Sequence, residues 1–222
     1  MEKKNTSEEE ALAQARARIE DYRQRIQRLD EDSLDLMFRE ARNQNWWQDK
    51  PVSDDQLCEI WDLSKLGSTS GNCLPARILF LRSKEARVRL TPALGPGNVE
   101  KTLAAPVTAL IAYDVNFFEY LPRLNSARPE LKDHFAGNEA LAEDFAYMNG
   151  TLQGAYFLMA IRAVGLDAGA MGGFNKKAAN EEFFKGTSYR SNFLCNIGYG
   201  DISGIKKPRP PRLAFDEACE II

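Results

Sequence analysis

The stretch Gly67-Ser68-Thr69-Ser70-Gly71-Asn72-Cys73-Leu74-Pro75-Ala76-Arg77 marks a change in secondary structure. Its first six residues are turn formers, which end the amphipathic helical pattern that precedes them. The short apolar run at residues 78–81 follows at once and is typical of a buried strand. We therefore predict a helix, a polar loop and a strand around this stretch.

The sequence upstream of this stretch is predicted to be helical. Ser53-Asp54-Asp55-Gln56 has the pattern of a capping box with acidic residues in the first turn, so a helix begins there. Another helix is predicted from Asp32 or Ser33 to about Glu40.

Apolar residues three and four apart predict a first helix over residues 8–30. They form a seam of Leu12, Ala15, Ile19, Tyr22, Ile26 and Leu29. This seam either packs on its own domain or embraces a partner subunit. We expect an N-terminal helical extension over residues 1–31 and a main domain over residues 32–222.

The sequence downstream alternates strands and helices without a regular order. Residues 107–113 are β-branched and apolar, which favours a central strand, and residues 193–197 favour another. Helices are predicted to begin near Ser83, Asn138 and Phe215, and another contains Ala178, Phe183 and Phe184. A glycine-rich turn is predicted at residues 169–173. The mixed order predicts an α+β fold with a small mixed central sheet flanked by helices.

The helix predicted over residues 138–165 has an unusual second half. Residues 155–161 are apolar on every side, which predicts burial all round, inside a domain or a subunit interface.

The composition excludes several classes of function. A net charge of −3 gives no general attraction to nucleic acid or to anionic membranes, and we expect neither partner. The four cysteines have no CxxC spacing, and no apolar signal segment stands at the N-terminus, so we expect reduced thiols in the cytoplasm. His134 is the one histidine, which excludes a multi-histidine metal site, and no metal is expected. The common phosphate-loop, nucleophile-elbow and zinc-protease motifs are missing.

Three sparse motifs remain. The first is Arg42-Asn43-Gln44-Asn45-Trp46-Trp47 with Pro51-Val52 downstream, and the second is the stretch at residues 67–77. The third joins Gly165-Leu166-Asp167-Ala168-Gly169-Ala170-Met171-Gly172-Gly173-Phe174 to the late basic residues Lys207, Arg209 and Arg212. Each motif alone has an ordinary structural explanation, as a helix end, a loop, a helix-ending turn or a solvated basic tail.

Together, and in this order, the motifs resemble the nitroreductase-like superfamily over residues 33–222. That family has an Arg-x-Ser-x-Arg segment before a Pro-Val, a polar loop with a central Asn, a Gly-Leu-Gly turn and a late basic pair. The polar loop is most similar to the malonic semialdehyde reductase branch, with matches at Thr69, Ser70, Asn72, Cys73, Pro75, Ala76 and Arg77. Residues 196–201, 211–213 and 215–219 also resemble that branch.

The resemblance implies a nitroreductase-like fold in a domain-swapped type of homodimer that binds FMN. The apolar helix around Tyr156 is the candidate for the dimer interface, so a charge at Phe157 or Leu158 should abolish both the dimer and flavin binding. NADH or NADPH would pass hydride to flavin N5 and leave, and an oxidant would then use the same site in a ping-pong cycle without an acid–base residue. The implied oxidant is a small aldehyde such as malonic semialdehyde. A nitro compound or quinone is the alternative within the family, and a helical dimerisation scaffold without flavin is the alternative outside it.

The resemblance also implies which residues form the site. The cofactor-binding residues would be Arg42, Asn43, Gln44, Ser70, Asn72, Ala170, Met171, Gly172, Gly173, Lys207 and Arg209. Arg42, Lys207 and Arg209 would hold the phosphate, Asn72 the pyrimidine edge of the ring, and the Gly172 amide would lie near N5. Arg77 would bind a substrate carboxylate or form a structural salt bridge.

The chain departs from the family pattern at several positions. Gln44 stands where a serine is common, and neither Asn45 nor Trp46 is the second cation found there in relatives. Leu74 replaces a glutamine, and Gly172 replaces a glutamate. The sequence therefore leaves open which residues complete the phosphate site and whether NADH or NADPH is preferred.

Overall fold

The computed structural model describes residues 2–26 and 28–222, which fall into two units, Met1–Glu40 and Ala41–Ile222. The first unit is helical and consists of α1 (Glu2–Arg25), α2 (Glu31–Leu34) and a π-helical turn (Asp35–Arg39). Leu12, Ile19 and Tyr22 of the α1 seam are exposed. The helix predicted over residues 8–30 is thus observed with other bounds, while the domain division at residue 31 stays a prediction.

The second unit contains a four-stranded sheet surrounded by helices, which confirms the predicted α+β class. Its strands are β1 (Ala76–Leu81), β2 (Val107–Asp114), β3 (Asp167–Met171) and β4 (Tyr189–Gly198). Its α-helices are α3 (Asp54–Ser64), α4 (Lys84–Leu90), α5 (Pro96–Ala104), α6 (Leu121–Leu124), α7 (Leu131–Ala136), α8 (Glu139–Ala163), α9 (Lys176–Phe183) and α10 (Phe215–Ala218). Short 3₁₀ turns occur at Ser70–Asn72, Thr91–Ala93, Phe117–Tyr120 and Ile202–Gly204.

The strands follow the order β1-β2-β4-β3, and the pairing at each of the three contacts is antiparallel. The prediction of a mixed sheet is therefore corrected. Among the described residues, parallel pairing is limited to an isolated bridge between Asn43 and Ala168. Long connections carry the chain between strands, and they place helices on both sides of β2, which is buried along its whole length.

Helix α8 packs one face on the sheet. Phe157 is 1% exposed, and the centroid of its ring lies 6.0 Å from the ring centroid of Phe80 in β1. Along the same helix Ala155 is exposed and Leu158 is half-buried, so within one chain the helix is not buried all round as predicted. Phe157 belongs to the core of its own chain, because its side chain faces the sheet, and a charge there would test folding rather than assembly.

The glycine-rich segment predicted as a turn is mostly a strand. Residues 167–171 form the edge strand β3, and Gly172 and Gly173 continue beyond it. The strand was missed because its Gly and Ala residues have little β propensity. Gly169 has a steric role there: a Cβ at this position would lie 2.3 Å from the carbonyl oxygen of Gln44. Only glycine lets the 42–47 segment cross β3 this closely.

Two helices begin at the residues where the sequence predicted their start. Ser53 and Gln56 form the capping box at the start of α3, and the Asn138 side chain caps α8. Within the described part of the chain, no helix combines the length and the apolar character needed to cross a membrane.

Candidate functional site

The first motif is fastened to the edge strand β3. The amide of Gln44 donates to the Ala168 carbonyl at 2.9 Å, next to the bridge between Asn43 and Ala168. The side-chain oxygen of Asn43 accepts from the amide of Ala170 at 2.6 Å. The 42–44 segment and residues 168–170 of β3 therefore form one local structure, as expected if both contribute to a single site.

The late basic segment returns to the same place. The Arg42 guanidinium donates to the Lys207 carbonyl at 2.8 Å, and the Arg209 guanidinium donates to the Ala41 carbonyl at 2.7 Å. The Asp201 amide donates to the Trp46 carbonyl at 2.9 Å. These bonds join residues more than 150 positions apart, and they bring the first and last predicted motifs together.

A cleft of about 360 Å³ opens between these segments and helix α5. It is lined by Arg42, Asn43, Gln44, Asn45, Trp46, Gly97, Glu100, Lys101, Gly204, Ile205, Lys206 and Lys207. Four of these side chains are cationic and one is a carboxylate. A surplus of guanidinium and ammonium donors is the chemistry that holds a phosphate group.

Lys101 is a member of this cleft that the sequence did not reveal. It lies on α5 and its Nζ donates to the Asn45 side chain at 3.1 Å. Burial lowers the pKa of Lys101 from its ordinary value, because the charged form is partly removed from water. A lone lysine on an amphipathic helix carries no motif, so only the tertiary structure shows that Lys101 lines the cleft.

The backbone beyond β3 lies open to solvent. A Cβ at Gly172 or Gly173 would meet no heavy atom of the described residues within 4 Å, and neither glycine has a positive φ. Packing within the chain therefore does not require glycine at either position. The Gly173 carbonyl accepts from the Asn98 side chain at 3.2 Å, which ties this backbone to the helix that bears Lys101. The open backbone lets a flat ligand approach closely.

Met171 differs from the two glycines that follow it. Its side chain is buried, and its Sδ lies 3.8 Å from the Thr102 hydroxyl oxygen. The side chain thus belongs to the core, and any contact with a ligand in the cleft would come from the main chain.

The second motif lies at the other end of the sheet. Val107, at the start of β2, pairs with Ile197, which pairs with Ala168 beside the first motif. The Asp114 amide at the end of β2 bonds to Pro75, next to the Ser70–Asn72 turn. The ends of β2 are about 23 Å apart at roughly 3.3 Å per residue. Ser70 and Asn72 are therefore not brought to the cleft of their own chain.

This second loop is held in a fixed shape from below. The Ser70 amide donates to the buried Asn149 side chain and the Ala76 amide to the buried Gln153 side chain, each at 2.8 Å. Asn72 and Leu74 have positive φ values of 53° and 42°, which are costly for residues with a Cβ. The bonds to α8 and the Asn72 bond to the Leu124 carbonyl stabilise that conformation.

Cys73 in the same loop is buried, and burial raises the pKa of its thiol to about 11. The thiol is therefore protonated at neutral pH. The loop supplies no thiolate nucleophile, which agrees with a site that works without covalent catalysis.

Arg77 forms a structural salt bridge. Its Nη2 donates to Asp114 at 2.7 Å, and its Nη1 donates to the carbonyls of Leu74 and Ala76. Its guanidinium also lies near the rings of two tyrosines. Of the two roles considered for Arg77, the one seen within the chain is the salt bridge, which supports the Leu74 end of the loop.

Comparison with known proteins places the chain in a family. No protein-family model matches it. A protein of Cupriavidus pinatubonensis that is named as an NADH dehydrogenase/NAD(P)H nitroreductase is 52% identical over 190 residues, covering 85% of this chain and 96% of that protein. The chain therefore belongs to the nitroreductase-like superfamily.

Solved structures show the same fold. A Bacillus subtilis structure described as a nitroreductase matches with a TM-score of 0.75 at 17% identity, over 87% of this chain and all of that chain. An Exiguobacterium sibiricum nitroreductase structure, solved in complex with FMN, matches with a TM-score of 0.68 at 19% identity, over 83% of this chain and 95% of that chain. These likenesses confirm the predicted nitroreductase-like fold.

Proposed function

We propose that this chain is an FMN-dependent NAD(P)H oxidoreductase that works as a homodimer. The observation that carries the proposal is the cleft where Arg42, Lys101, Lys206 and Lys207 converge. The open backbone of residues 172–173 is tied by Asn98 to α5, the helix that lines this cleft. One end of this site suits a phosphate and the other suits a flat ring. The 52% identical relative has an NAD(P)H nitroreductase name, which supports the nicotinamide donor.

The cationic end of the cleft fits the phosphate of FMN. A phosphomonoester carries a charge of about −1.5 to −2 at neutral pH, and the cleft holds four cations against Glu100. Lys101 fills the place of the second cation that the 42–47 segment lacks. Arg209 supports this end by fixing the main chain at Ala41.

The glycine end of the site would receive the ring. We propose that the Gly172 amide lies near flavin N5 and that Gly173 leaves room for the ring beside it. When bound, FMN supplies the redox chemistry, accepting hydride from NADH or NADPH and returning it to an oxidant. The chain contributes binding and orientation, since hydride transfer needs the two reacting atoms about 3–3.5 Å apart.

A second subunit would complete the site. Ser70 and Asn72 lie about 23 Å of strand away from the cleft, yet the family pattern places both loops around one cofactor. We therefore propose that the Ser70–Asn72 loop of a second copy closes the cleft of the first, with Asn72 at the pyrimidine edge of the ring.

The exposed apolar surfaces support such a dimer. Tyr147, Met148 and Leu152 are exposed on α8, directly beside the segment that holds the Ser70 loop. At the C-terminus Leu213, Phe215, Ile221 and Ile222 are exposed as well.

The outer edge of the sheet is also open, because no strand among the described residues pairs with the outer edge of β1. We propose that the α8 faces pack together and that each C-terminal segment covers the partner, as in a domain-swapped dimer.

The oxidant is proposed to be a small electrophile. The similarity of residues 69–77 to malonic semialdehyde reductases favours an aldehyde such as malonic semialdehyde. The nitroreductase name of the 52% identical relative favours a nitro compound as the second candidate. Steady-state kcat/KM values for the two oxidants with one NAD(P)H donor decide between them.

Flavin retention tests the proposed function. Purified protein is mixed with FMN and desalted, and the visible spectrum is recorded for wild type, Lys207→Met and Lys84→Met. We expect wild type and the control Lys84→Met to keep the flavin, because Lys84 is an exposed residue of α4 outside the cleft. Lys207→Met should lose it. If wild type keeps no flavin, the enzyme proposal is wrong and a dimerisation scaffold built on the α1 seam becomes the better account.

A further inference from the structure

A second basic cleft lies apart from the proposed FMN site. It has a volume of about 420 Å³ and is lined by Trp47, Gln48, Asp49, Lys50, Pro51, Val52, Arg82, Arg87, Ala104, Ala105 and Pro106. Lys50, Arg82 and Arg87 are cationic, and Asp49 is the carboxylate among the lining residues. None of these residues lines the first cleft.

Arg87 is the unusual residue of this cleft. It is 8% exposed, and its Nη1 donates to the carbonyls of Arg82 and Pro106. Its Nε is buried, and no atom in the described part of the chain accepts from it. Its Nη2 makes none of the hydrogen bonds found in the described chain, and none of the ion pairs found there includes Arg87. Burial lowers the pKa of Arg87, and the charge of the exposed Glu85 on the same helix opposes that shift.

A buried guanidinium without a carboxylate is costly, because the charge leaves water without a compensating partner. Nε and Nη2 form one edge of the guanidinium, which is the fork that binds an oxyanion through two parallel hydrogen bonds. In Arg87, Nη1 donates to two main-chain carbonyls, while the edge formed by Nε and Nη2 has no acceptor among the described residues.

Trp47 lines the same cleft and repeats the pattern. Its indole Nε1 is buried and has no hydrogen-bond acceptor among the described residues. Buried donors in folded proteins are nearly always paired. The Cε3 side of the ring lies toward Gly198, beside Pro106 of the cleft. The unpaired edge of Arg87 on this basic cleft therefore indicates a ligand with acceptor oxygens, which would lie against the Trp47 ring.

The other two cations are already oriented. Arg82 pairs with Asp54 and donates to the Val52 carbonyl at 2.8 Å. The Nζ of Lys50 lies 3.6 Å from the centroid of the Tyr199 ring. None of the ion pairs among the described residues includes Lys50, so no carboxylate compensates its charge. Arg87 and Lys50 thus supply the free positive charge of the cleft.

We propose that this cleft binds a small phosphate-class oxyanion, either inorganic phosphate or a phosphate monoester. The oxyanion bonds to the free edge of Arg87, lies beside the Trp47 ring, and is attracted by Lys50. The cleft exceeds the roughly 300 Å³ at which ligand pockets begin, so it also has room for the organic part of a monoester. The site is independent of the proposed flavin chemistry, because its residues are different.

The two clefts can be followed separately in one experiment. Trp46 lines the first cleft and Trp47 lines the second, so their indole N–H cross-peaks in a ¹H–¹⁵N spectrum report on each. The cross-peaks are assigned with Trp46→Phe and Trp47→Phe. The full-length protein is titrated with inorganic phosphate, with glycerol phosphate as the monoester, and with chloride at matched ionic strength.

We expect the Trp47 cross-peak to shift and saturate with phosphate or with the monoester, and not with chloride. The better binder identifies the source of the oxyanion. Arg87→Lys, which keeps the charge and loses the fork, should weaken binding about tenfold or more, since it removes one charge-assisted hydrogen bond. Lys207→Met should leave the Trp47 response unchanged.

A Trp47 cross-peak that stays fixed, or that moves equally with chloride, overturns the proposal. So does an unchanged affinity in Arg87→Lys. If that variant fails to fold, Lys50→Gln provides the test, because Lys50 is exposed and its loss should weaken phosphate binding several-fold. Unaltered phosphate affinity in Lys50→Gln would then count against the site.

Discussion

Two glycines of the third motif should respond to alanine in opposite ways. In Gly169→Ala, the new Cβ would lie 2.3 Å from the Gln44 carbonyl oxygen and 3.2 Å from the Trp47 ring. One of these atoms is main chain, so the crossing of the 42–47 segment over β3 must open. In Gly172→Ala, the Cβ meets no protein atom within 4 Å.

The sizes of the two effects follow from this geometry. Overpacking costs about 1–3 kcal/mol, so apo Gly169→Ala should unfold roughly 2–12 °C below wild type. Apo Gly172→Ala should be unchanged or gain about 0.4–1 kcal/mol, because alanine restricts the unfolded chain. Its methyl group would occupy space proposed for the ring, so FMN binding should weaken about 5–150-fold.

Thermal unfolding of the two apo variants, followed by circular dichroism at equal protein concentration, measures the first effect. Titration with FMN, followed by quenching of flavin fluorescence, measures the second. The reasoning is refuted if Gly172→Ala binds FMN as tightly as wild type. It is refuted as well if Gly169→Ala matches the thermal stability of wild type.

Three further predictions concern the cleft and the dimer. Lys101→Met should weaken FMN binding about 10–150-fold, the loss of one charge-assisted bond, and equal affinity would contradict its proposed role. Leu152→Glu should turn the dimer into a monomer in analytical ultracentrifugation, whereas the control Val88→Glu on α4 stays dimeric; two dimeric variants would remove α8 from the interface. Mixed dimers of Lys207→Met and Asn72→Gly subunits should bind FMN at about half the wild-type stoichiometry, since one site is intact, and no binding would contradict the shared site.

The parts of the fold that local chemistry determines were predictable from the sequence. The capping box at Ser53 and the caps at Ser83 and Asn138 depend on residues three positions apart. Strand β2 was predictable because it is apolar and β-branched and is buried on both faces. Such signals need no information about the rest of the chain.

Features that depend on tertiary contacts were not predictable in the same way. Strand β3 is built from small residues, and its pairing with β4 overrides their weak propensity. Lys101 reaches the cleft only because α5 packs beside the first motif. Asn149 and Gln153 appear on an apolar helix, and their role is visible only once the Ser70 loop lies against them.

The family resemblance predicted which residues form the site, but not which of them lie together in one subunit. The structure brings Arg42, Asn43 and Lys207 together and leaves Ser70 and Asn72 at the far end of β2. A linear motif contains no information about which copy of the chain supplies each loop. The resemblance implied a homodimer, but the proposal that the Ser70 loop of the second copy completes the site follows from the distance between the loops, which only coordinates supply.

The most direct test of the central claim is anaerobic reduction of the FMN-loaded protein by NADH or NADPH, followed in the visible spectrum. We predict that the band of oxidised flavin disappears with at least one of the two nucleotides and returns when an aldehyde or nitro compound is added. A band that neither nucleotide diminishes would contradict the claim that this chain is an NAD(P)H-dependent flavin oxidoreductase.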